Sequence, residues 1–325
     1  MHFLGITWNP NETLFNIGFI QIKYYNLLWI TAFALGWFIM KRIFENDKKT
    51  VEQLDSLFIH CVVSIMLGAR LGHVFFYDWA YYQNHLLEIL LPIRESAGSS
   101  LFGFINGYEF TGFTGLASHG ATIGAIIGIY LYSRKQNLKM LWVLDRAVVA
   151  SAIGTFCVRL GNFFNSEIVG TKVDESFIFA TRFIRDGISP TEALRATQAK
   201  TVNAAYEMIE TDPKFSSLLE TVDYKHPSQL YEGVCYIFMF LILYFLYWKT
   251  DKKDKTGYLF GLFLVLLWTI RFFIEFVKER QNELDESMQL LSIGQWLSLP
   301  FIAIGLYFMF RPTGSTLSRG KPSSH

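Results

Sequence analysis

Seven long apolar runs constrain the fold of this chain more than any other feature. The hydrocarbon core of a bilayer is about 30 Å thick, and a helix of about 20 residues crosses it. The runs that approach this length lie at residues 27–40 (extended on either side), 57–77, 113–132, 140–158, 231–248, 258–276 and 290–310. Inside lipid each backbone polar group needs a partner within the protein, which long apolar runs achieve as helices. The sequence therefore predicts an all-α polytopic membrane protein with seven transmembrane helices.

The composition supports a membrane protein and excludes several other classes. Hydrophobic residues make up 51% of the 325 and charged residues only 18%, against about a quarter charged in soluble domains. No Lys/Arg block accompanies the net charge of +1, so we expect no nucleic-acid partner. Cys61, Cys157 and Cys235 lie in apolar runs without a CxxC motif, which argues against a disulfide framework or a zinc site. Residues 1–16 lack the regions of a cleaved signal peptide.

Basic residues alternate between loops and so predict the orientation. They follow the odd-numbered spans: Lys41, Arg42, Lys48 and Lys49; Arg134, Lys135 and Lys139; Lys249, Lys252, Lys253 and Lys255; and Arg311, Arg319 and Lys321 in the tail. The loop after span two carries only Arg94, and the loop after span six mixes basic with acidic residues. Because positive loops remain inside, we expect a multi-pass membrane protein with its N-terminus outside and its C-terminus inside.

The same pattern divides the chain into four parts. Residues 1–164 contain spans one to four, with an interfacial arm at about 78–112. Residues 165–225 form a head outside the membrane, on the outer side. Residues 226–311 contain spans five to seven, and residues 312–325 form a disordered tail on the inner side. In the arm, residues 86–93 are too short to cross and predict an interfacial helix, followed by a mobile Gly- and Ser-rich connector over 97–115. In the head, Ser189 before a proline predicts the start of a helix from 190 to about 209.

An arginine with neighbouring amides and a carboxylate ends the fourth span. Arg159, Asn162, Asn165 and Glu167 follow about twenty mostly apolar residues. An unpaired arginine at the centre of a membrane helix costs about 2.5–3.5 kcal/mol on insertion scales. Either the side chain reaches up to the lipid headgroups, or several such groups converge on an anionic ligand.

Two polar residues lie among small residues that favour close helix packing. His119 begins the series Gly120, Gly124 and Gly128, and Arg70 lies between Gly68 and Gly72. Small residues four apart let a neighbouring helix approach closely. His119 is therefore either a packed, hydrogen-bonded group or a catalyst, whereas for Arg70 we favour a structural role in which a partner helix holds the guanidinium.

Polar residues also lie at the start of span five and at the end of span six. His226, Gln229 and Glu232 recur at intervals of three, and Arg271 precedes Glu275 by four. The first group can be helix caps and interfacial anchors, and the second can be an intrahelical ion pair. By the predicted topology, however, all of these positions face the same outer leaflet as Arg159, which favours a shared site.

Four motifs, in order, make the chain resemble the bacterial phosphatidylglycerol:prolipoprotein diacylglyceryl transferases. They are His119-Gly120; Arg159 to Asn165, continuing through Glu167 and Gly170; His226 to Glu232; and Arg271 with Glu275. The resemblance extends from Tyr25 to about Pro300. It implies a seven-span inner-membrane enzyme that moves a diacylglyceryl group from phosphatidylglycerol to the lipobox cysteine thiol of a prolipoprotein. The products are a thioether and glycerol phosphate.

The resemblance also implies roles for individual residues. The catalytic set is Tyr25, His119, Arg159 and Arg271. The residues implied to bind phosphatidylglycerol are Arg159, Asn162, Glu167, Gly170, His226, Gln229, Arg271 and Glu275. The chain departs from the family pattern at four positions, where Ala121 and Ser166 replace glycines, Thr171 replaces a common arginine and Leu267 replaces an aromatic residue.

The expected partners are phosphatidylglycerol, the prolipoprotein signal peptide with its lipobox cysteine, and membrane lipids. The leaving phosphate suits two guanidiniums, and His119 is the candidate base for the thiol. No metal and no cofactor is expected: a phosphatidyltransferase would need clustered aspartates for a divalent cation, and spans two to six contain only Asp145. A membrane transporter or a lipid-binding scaffold is the alternative, although the repeats typical of transporters are not visible.

Overall fold

The computed structural model describes residues 5–17, 20–101, 105–110, 115–279 and 291–312. Within these ranges, six helices are long and apolar enough to cross a membrane. They are α1 (Tyr24–Asn46), α2 (Val51–Phe76), α6 (Met140–Phe164), α11 (Ser228–Lys249), α12 (Tyr258–Ile274, continued to Val277 by one 3-10 turn) and α13 (Ile293–Phe310). They confirm the helices predicted for spans one, two, four, five, six and seven. The chain divides into two units, Met1–Ile39 with Asp145–His325 and Met40–Leu144.

The second unit is built on α2 and α5 (Ser118–Lys135). Its glycines permit the predicted close approach: a Cβ on Gly68 would be 2.8 Å from the Gly124 Cα, and one on Gly72 would be 2.7 Å from the Gly120 Cα. The described part of the predicted third span is thus a helix, but α5, which includes His119, Arg134 and Lys135, is not among the six helices of the described chain that are apolar enough to cross a membrane. Seven spans therefore remain a prediction.

The arm differs from its prediction. It contains two four-residue helices, α3 (Trp79–Tyr82) and α4 (Leu87–Leu90), and then the antiparallel strands β4 (Ile93–Leu101) and β5 (Ile105–Phe110). The helix predicted over 86–93 was wrong except for the single turn Leu87–Leu90. The helix ends there because Leu91, the residue before Pro92, has an extended backbone (ψ 141°). The connector predicted over 97–115 was also wrong where it is described, since β4 and β5 pair through their backbones; residues 102–104 and 111–114 lie outside the description.

Arg70 has the structural role favoured from the sequence. Its side chain is buried, with 5% of the residue exposed. Its Nε donates to the Ile89 carbonyl at 3.0 Å, a second nitrogen donates to the Glu88 carbonyl, and the guanidinium lies 4.8 Å from the Tyr82 ring centre. The arginine therefore ties α2 to α4, where it satisfies carbonyls at the end of a very short helix.

The first unit adds small β-sheets outside its long helices, so an all-α class is correct for the spanning helices only. β1 (Ile6–Trp8) runs parallel to β6 (Thr181–Phe183), which pairs antiparallel with β7 (Tyr224–Lys225). β2 (Thr13–Ile17) and β3 (Ile20–Lys23) form a hairpin. These strands are short and lack a long alternating pattern, which is why the sequence did not reveal them.

Residues 165–225, the predicted head, have a core of their own. α7 (Ile184–Gly187), α8 (Pro190–Thr197), α9 (Val202–Thr211) and α10 (Ser216–Leu219) surround a buried cluster that includes Ile184, Ile188 and Tyr206. The Tyr206 hydroxyl donates to the Ile188 carbonyl at 2.7 Å. This hydrogen bond satisfies a buried hydroxyl inside the apolar cluster, so the segment has a packed core of its own.

The single helix predicted from 190 to about 209 was wrong, although its start is confirmed. Ser189 caps α8 by accepting from the Glu192 amide at 3.3 Å. Gln198 then takes a left-handed conformation (φ 56°) that ends α8, and Thr201 caps α9. The disordered tail predicted for 312–325 lies outside the described residues from 313 onward.

Candidate active site

Three segments distant in sequence meet beside the ends of α6, α11 and α12. The Gly170 amide donates to the His226 carbonyl at 2.8 Å, and the Thr171 amide donates to the Val277 carbonyl at 2.8 Å. Residues 169–171 thus lie between residues 225–226 and residues 277–279, as a small backbone ribbon. This ribbon gathers the polar ends of the three helices on one side of the first unit.

Gly170 is required by this arrangement, which explains the importance that the sequence assigned to it. A Cβ at this position would lie 2.5 Å from the His226 Cβ and 2.6 Å from the Val277 carbonyl oxygen. Real side chains do not tolerate such distances, so any other residue forces the three segments apart.

Arg159 is held by two side chains in the buried part of the site. Its Nε donates to the Glu232 carboxylate at 2.6 Å, with side-chain exposures of 10% and 4%, and Nη1 donates to Asn162 Oδ1 at 3.3 Å. The Tyr236 hydroxyl completes the group by donating to Glu232 at 3.2 Å. The guanidinium is therefore buried, paired and fixed in direction, and the reach toward the headgroups considered from the sequence does not describe it.

Asn162 and Glu167 continue the network toward the surface. The Asn162 and Asn165 amides each donate to the Glu167 carboxylate at 3.3 Å. The Gln229 amide donates to the Glu167 backbone carbonyl at 2.6 Å, so the fifth predicted span is tied to the loop after the fourth. Glu167 is exposed, and its carboxylate orients the amides of the motif.

Arg271 and Glu275 lie in the same region, but the ion pair considered for them does not form among the described contacts. Glu275 instead contacts the Lys278 ammonium at 3.6 Å. Among the described residues the buried Nε of Arg271 has no hydrogen-bond partner, and its guanidinium lies 5.5 Å from the Trp268 ring centre. The buried Nε atoms of Arg182 and Arg311 also have no hydrogen-bond partner in the described part of the chain, so what distinguishes Arg271 is its position near the cations Arg159 and Lys278.

Lys278 links the two arginine groups electrostatically. Burial lowers the pKa of its ammonium, and the pKa is also lowered by Arg271 and Arg159 and raised by Glu275 and Glu232. Three cations against two carboxylates leave this cluster with one net positive charge. That surplus, in a water-poor setting, favours a bound anion.

The turn after α6 and the first helix complete the site. Ser166, where the family has a glycine, is left-handed (φ 54°) and so is Ile168 (φ 59°), a conformation that favours glycine. Tyr25 packs on α6 at a glycine: a Cβ on Gly161 would lie 2.8 Å from the Tyr25 ring. The structure therefore brings Tyr25 to the turn of α6 that precedes the site.

His226 and Gln229 take supporting positions. His226 Nδ1 is 3.1 Å from the Tyr231 hydroxyl, and the ring meets Phe177 edge-on at 4.9 Å between centres. Burial lowers the pKa of His226, so the ring is neutral near pH 7. Gln229 is fully buried. Both residues hold the start of α11 against the loop after α6.

His119 belongs to the second unit, whereas the other predicted site residues belong to the first. It is exposed on the first turn of α5, directly before the buried Gly120. Its role therefore remains a prediction from the sequence.

Sequence reasoning missed two members of the cluster. Glu232 was considered either as a helix cap or as part of a shared site and was given no role of its own, although it pairs with Arg159. Lys278 lies in the loop after span six, which was described only as mixed in charge. Their spacing carries a weak signal, since Lys278 follows Glu275 by three residues on the same helical end.

Comparison with known proteins shows the family to which the chain belongs. The family model for prolipoprotein diacylglyceryl transferase matches residues 12–311. The chain belongs to the prolipoprotein diacylglyceryl transferase family. It is 38% identical to a phosphatidylglycerol–prolipoprotein diacylglyceryl transferase of Bacteroides fragilis, over 94% of this chain and 95% of the relative. Proteins of the same name from Tolumonas auensis and Porphyromonas gingivalis are each 34% identical, over 93% and 97% of this chain and 95% and 97% of theirs. In the first unit, the motifs on which the resemblance was recognised lie in and around the buried cluster at Arg159.

Proposed function

We propose that the chain transfers the diacylglyceryl group of phosphatidylglycerol to the lipobox cysteine thiol of a prolipoprotein, the first step of bacterial lipoprotein maturation. The observation that carries the proposal is the convergence of Arg159 and Arg271 in a buried cluster with surplus positive charge, in a chain of this family. Nε of Arg271, unpartnered among the described residues, is a donor that a phosphate oxygen would satisfy.

The residues fit the bond changes of this reaction. The thiol sulfur attacks the glyceryl carbon, the C–O bond to phosphate breaks, and its electron pair leaves with glycerol phosphate. Arg159 and Arg271 bind the phosphate and stabilise the charge that grows on it. Asn162, Glu167, Gly170, His226, Gln229 and Glu275 position these groups. The thiol proton needs an acceptor, and His119 is the candidate that the family resemblance supplies, with Tyr25 beside Gly161 as a further polar group.

The decisive experiment uses the purified full chain in detergent with phosphatidylglycerol and a chelator. Glycerol phosphate is expected to appear only when a peptide with a lipobox cysteine is added, and the same peptide with serine for cysteine is the control. Release of glycerol phosphate without acceptor, or with the serine peptide alone, would indicate a phospholipase C-type hydrolase instead. Transport of a solute with no covalent product would favour the transporter alternative.

The membrane arrangement is proposed on the same basis. α5 serves as the third of seven spans, residues 165–225 lie outside as a periplasmic head, and the N-terminus is outside and the C-terminus inside. A periplasm-active reporter fused at Gly187 is expected to be active, and one fused after Lys253 inactive. The opposite pattern would refute this topology but would not test the proposed reaction.

A further inference from the structure

Large apolar side chains are exposed at only one place in residues 165–225, all of which the structure describes. They belong to three consecutive residues, Phe177, Ile178 and Phe179, with exposed fractions of 36%, 54% and 55%. The other exposed side chains of this segment are polar or small. Single exposed apolar residues are ordinary, but a contiguous group on an otherwise polar surface marks a place that meets a partner or a membrane.

These three side chains project from an ordered turn, residues 177–180, called here the Phe177 turn. The Ala180 amide donates to the Phe177 carbonyl at 2.8 Å, and the Phe177 amide donates to the Asp174 carbonyl at 3.0 Å. The Ile6 amide of β1 donates to the Ala180 carbonyl at 2.9 Å. The backbone is therefore fixed at both ends of the turn, and the fold holds the apolar side chains outward.

The Phe177 turn packs on the start of α11. The Phe177 ring meets the His226 ring edge-on at 4.9 Å between centres, and the Phe179 ring meets the Tyr231 ring at 6.2 Å. α11 is long and apolar enough to cross a membrane, and tyrosines are enriched where such helices leave the hydrocarbon. The turn therefore lies at the level where the bilayer begins.

The exposed surface of the turn continues an apolar face of α11. That face starts at Tyr231 and continues at intervals of three and four residues through exposed side chains, which are Val234, Phe238, Leu241 and Phe245. This spacing places them on one side of a helix, and the exposed apolar side of a spanning helix suits lipid chains. Because Phe179 packs on Tyr231, the head extends this face beyond the end of the helix.

We propose that the Phe177 turn inserts into the outer leaflet beside the start of α11 and anchors the head to the lipid surface. We rest this on the membrane arrangement of the proposed function, in which α11 starts at the outer face, and not on the reaction. The turn contains no basic residue, and Asp174 and Glu175 precede it. Its attraction is therefore to the apolar layer and not to the charge of the lipids.

The anchor is attached directly to the proposed active site. Phe177 contacts the ring of His226, and the backbone carbonyl of His226 accepts from the Gly170 amide of the ribbon. The phosphate of a phospholipid lies in the headgroup layer just outside the hydrocarbon. An anchor that fixes the depth of the ribbon thus keeps the arginine cluster at the level of that phosphate.

Photolabelling of the wild type tests the insertion. The purified full chain is reconstituted in phosphatidylcholine vesicles, with a trace of phosphatidylcholine that carries a diazirine either near the start or at the end of an acyl chain. The shallow probe should label residues 177–179. The deep probe should label α11 near Phe238, about 10 Å further along the helix, and not the turn. Absence of label from residues 177–179 with both probes would overturn the proposal.

Variants at Ile178 test the cause. Phe177 and Phe179 contact neighbouring rings, so a change at Ile178 disturbs the least packing. Ile178→Asp should lower shallow labelling of the turn at least about threefold, because a carboxylate is costly in the apolar layer, whereas Ile178→Leu should retain it. Thr191→Asp, at an exposed position of α8, adds the same charge elsewhere in the head and should change nothing. Equal thermal unfolding in detergent shows that the variants fold, and wild-type labelling of Ile178→Asp would contradict the anchor.

The outcomes separate the anchor from the proposed function, since labelling requires neither phosphatidylglycerol nor an acceptor peptide. If the wild type transfers the diacylglyceryl group but the turn is unlabelled, the anchor proposal alone is wrong. If the turn is labelled but no transfer occurs, the transferase proposal alone fails. Crosslinks between two chains at residues 177–179 that increase with the ratio of protein to lipid would show that a second copy covers the patch, which would also overturn the anchor.

Discussion

Replacing Arg271 by lysine is expected to separate catalysis from stability. Nε of Arg271 donates to no group in the described part of the protein, so lysine removes no hydrogen bond of this atom from the resting enzyme. The substitution does remove the planar donors that a phosphate would use. One hydrogen bond to a charged group is worth about 1.5–3 kcal/mol, which corresponds to about 10- to 150-fold in turnover.

Arg159→Lys provides the contrast, because the same change there removes contacts that already exist. The Nε bond to Glu232 at 2.6 Å would be lost or lengthened, and the carboxylate would remain buried. Turnover should fall at least tenfold, and the free energy of unfolding should also fall, by about 1–3 kcal/mol. Arg271→Lys should change the unfolding free energy by less than about 1 kcal/mol.

The assay measures thioether formation on a lipobox peptide with phosphatidylglycerol, together with thermal unfolding of each purified variant. Arg182→Lys is the matched control, since Arg182 lies over the Tyr224 ring at 4.3 Å and outside the cluster. Near-normal turnover of Arg271→Lys would refute its assignment to the phosphate. Equal destabilisation by the two lysine variants would refute the difference in pairing that the structure shows.

Three further outcomes follow from the site. Gly170→Ala should destabilise the protein by about 1–3 kcal/mol in thermal unfolding, whereas Gly36→Ala, where a Cβ meets only the Ala150 methyl at 4.0 Å, should not; equal melting temperatures would contradict the close contact. Ser166→Gly should stabilise by about 1 kcal/mol because it relieves a left-handed serine, and no gain in chemical denaturation would count against strain there. His119→Gln should lower the rate by about 10²–10⁴ at pH 7 and recover toward pH 8.5, where the thiol ionises unaided; a loss uniform from pH 6 to 9 would indicate a packing role.

The sequence predicted the helices well because their cause is local. An apolar run long enough to span lipid has one stable conformation, so six of the seven predicted spans are apolar helices where the structure describes them. The close packing of α2 on α5 was also predictable, since glycine spacing alone decides it. The break at Gln198 was not, because neither glycine nor proline marks it and the left-handed turn depends on how α8 and α9 pack.

The sequence could predict which residues belong to the site where they share a motif. It could not predict which side chains pair with each other. Arg159, Asn162 and Glu167 are close in sequence and form one network. Sequence spacing favoured Arg271 with Glu275, yet Arg159 pairs with Glu232 on another helix, because side-chain partners depend on which helix ends the ribbon at Gly170 brings together. The strands β4 and β5 were missed for a similar reason, as their pairing rests on the backbone and not on an apolar pattern.

In the proposed reaction, the carboxylates of the cluster would make the site favour the departing phosphate over the bound lipid. Glu232 and Glu275 hold Arg159 and Lys278 in place and leave one net positive charge. A phosphodiester carries one negative charge and balances that surplus. A phosphate monoester carries about 1.5 to 2 negative charges near neutral pH. As the C–O bond breaks, the added charge therefore develops beside Arg271 and beside the two cations, Arg159 and Lys278, that these carboxylates hold. Interactions that strengthen only as the bond breaks accelerate the reaction itself. Because Glu232 and Glu275 partly neutralise the positive charge of the cluster, the site would bind the lipid less tightly than the transition state.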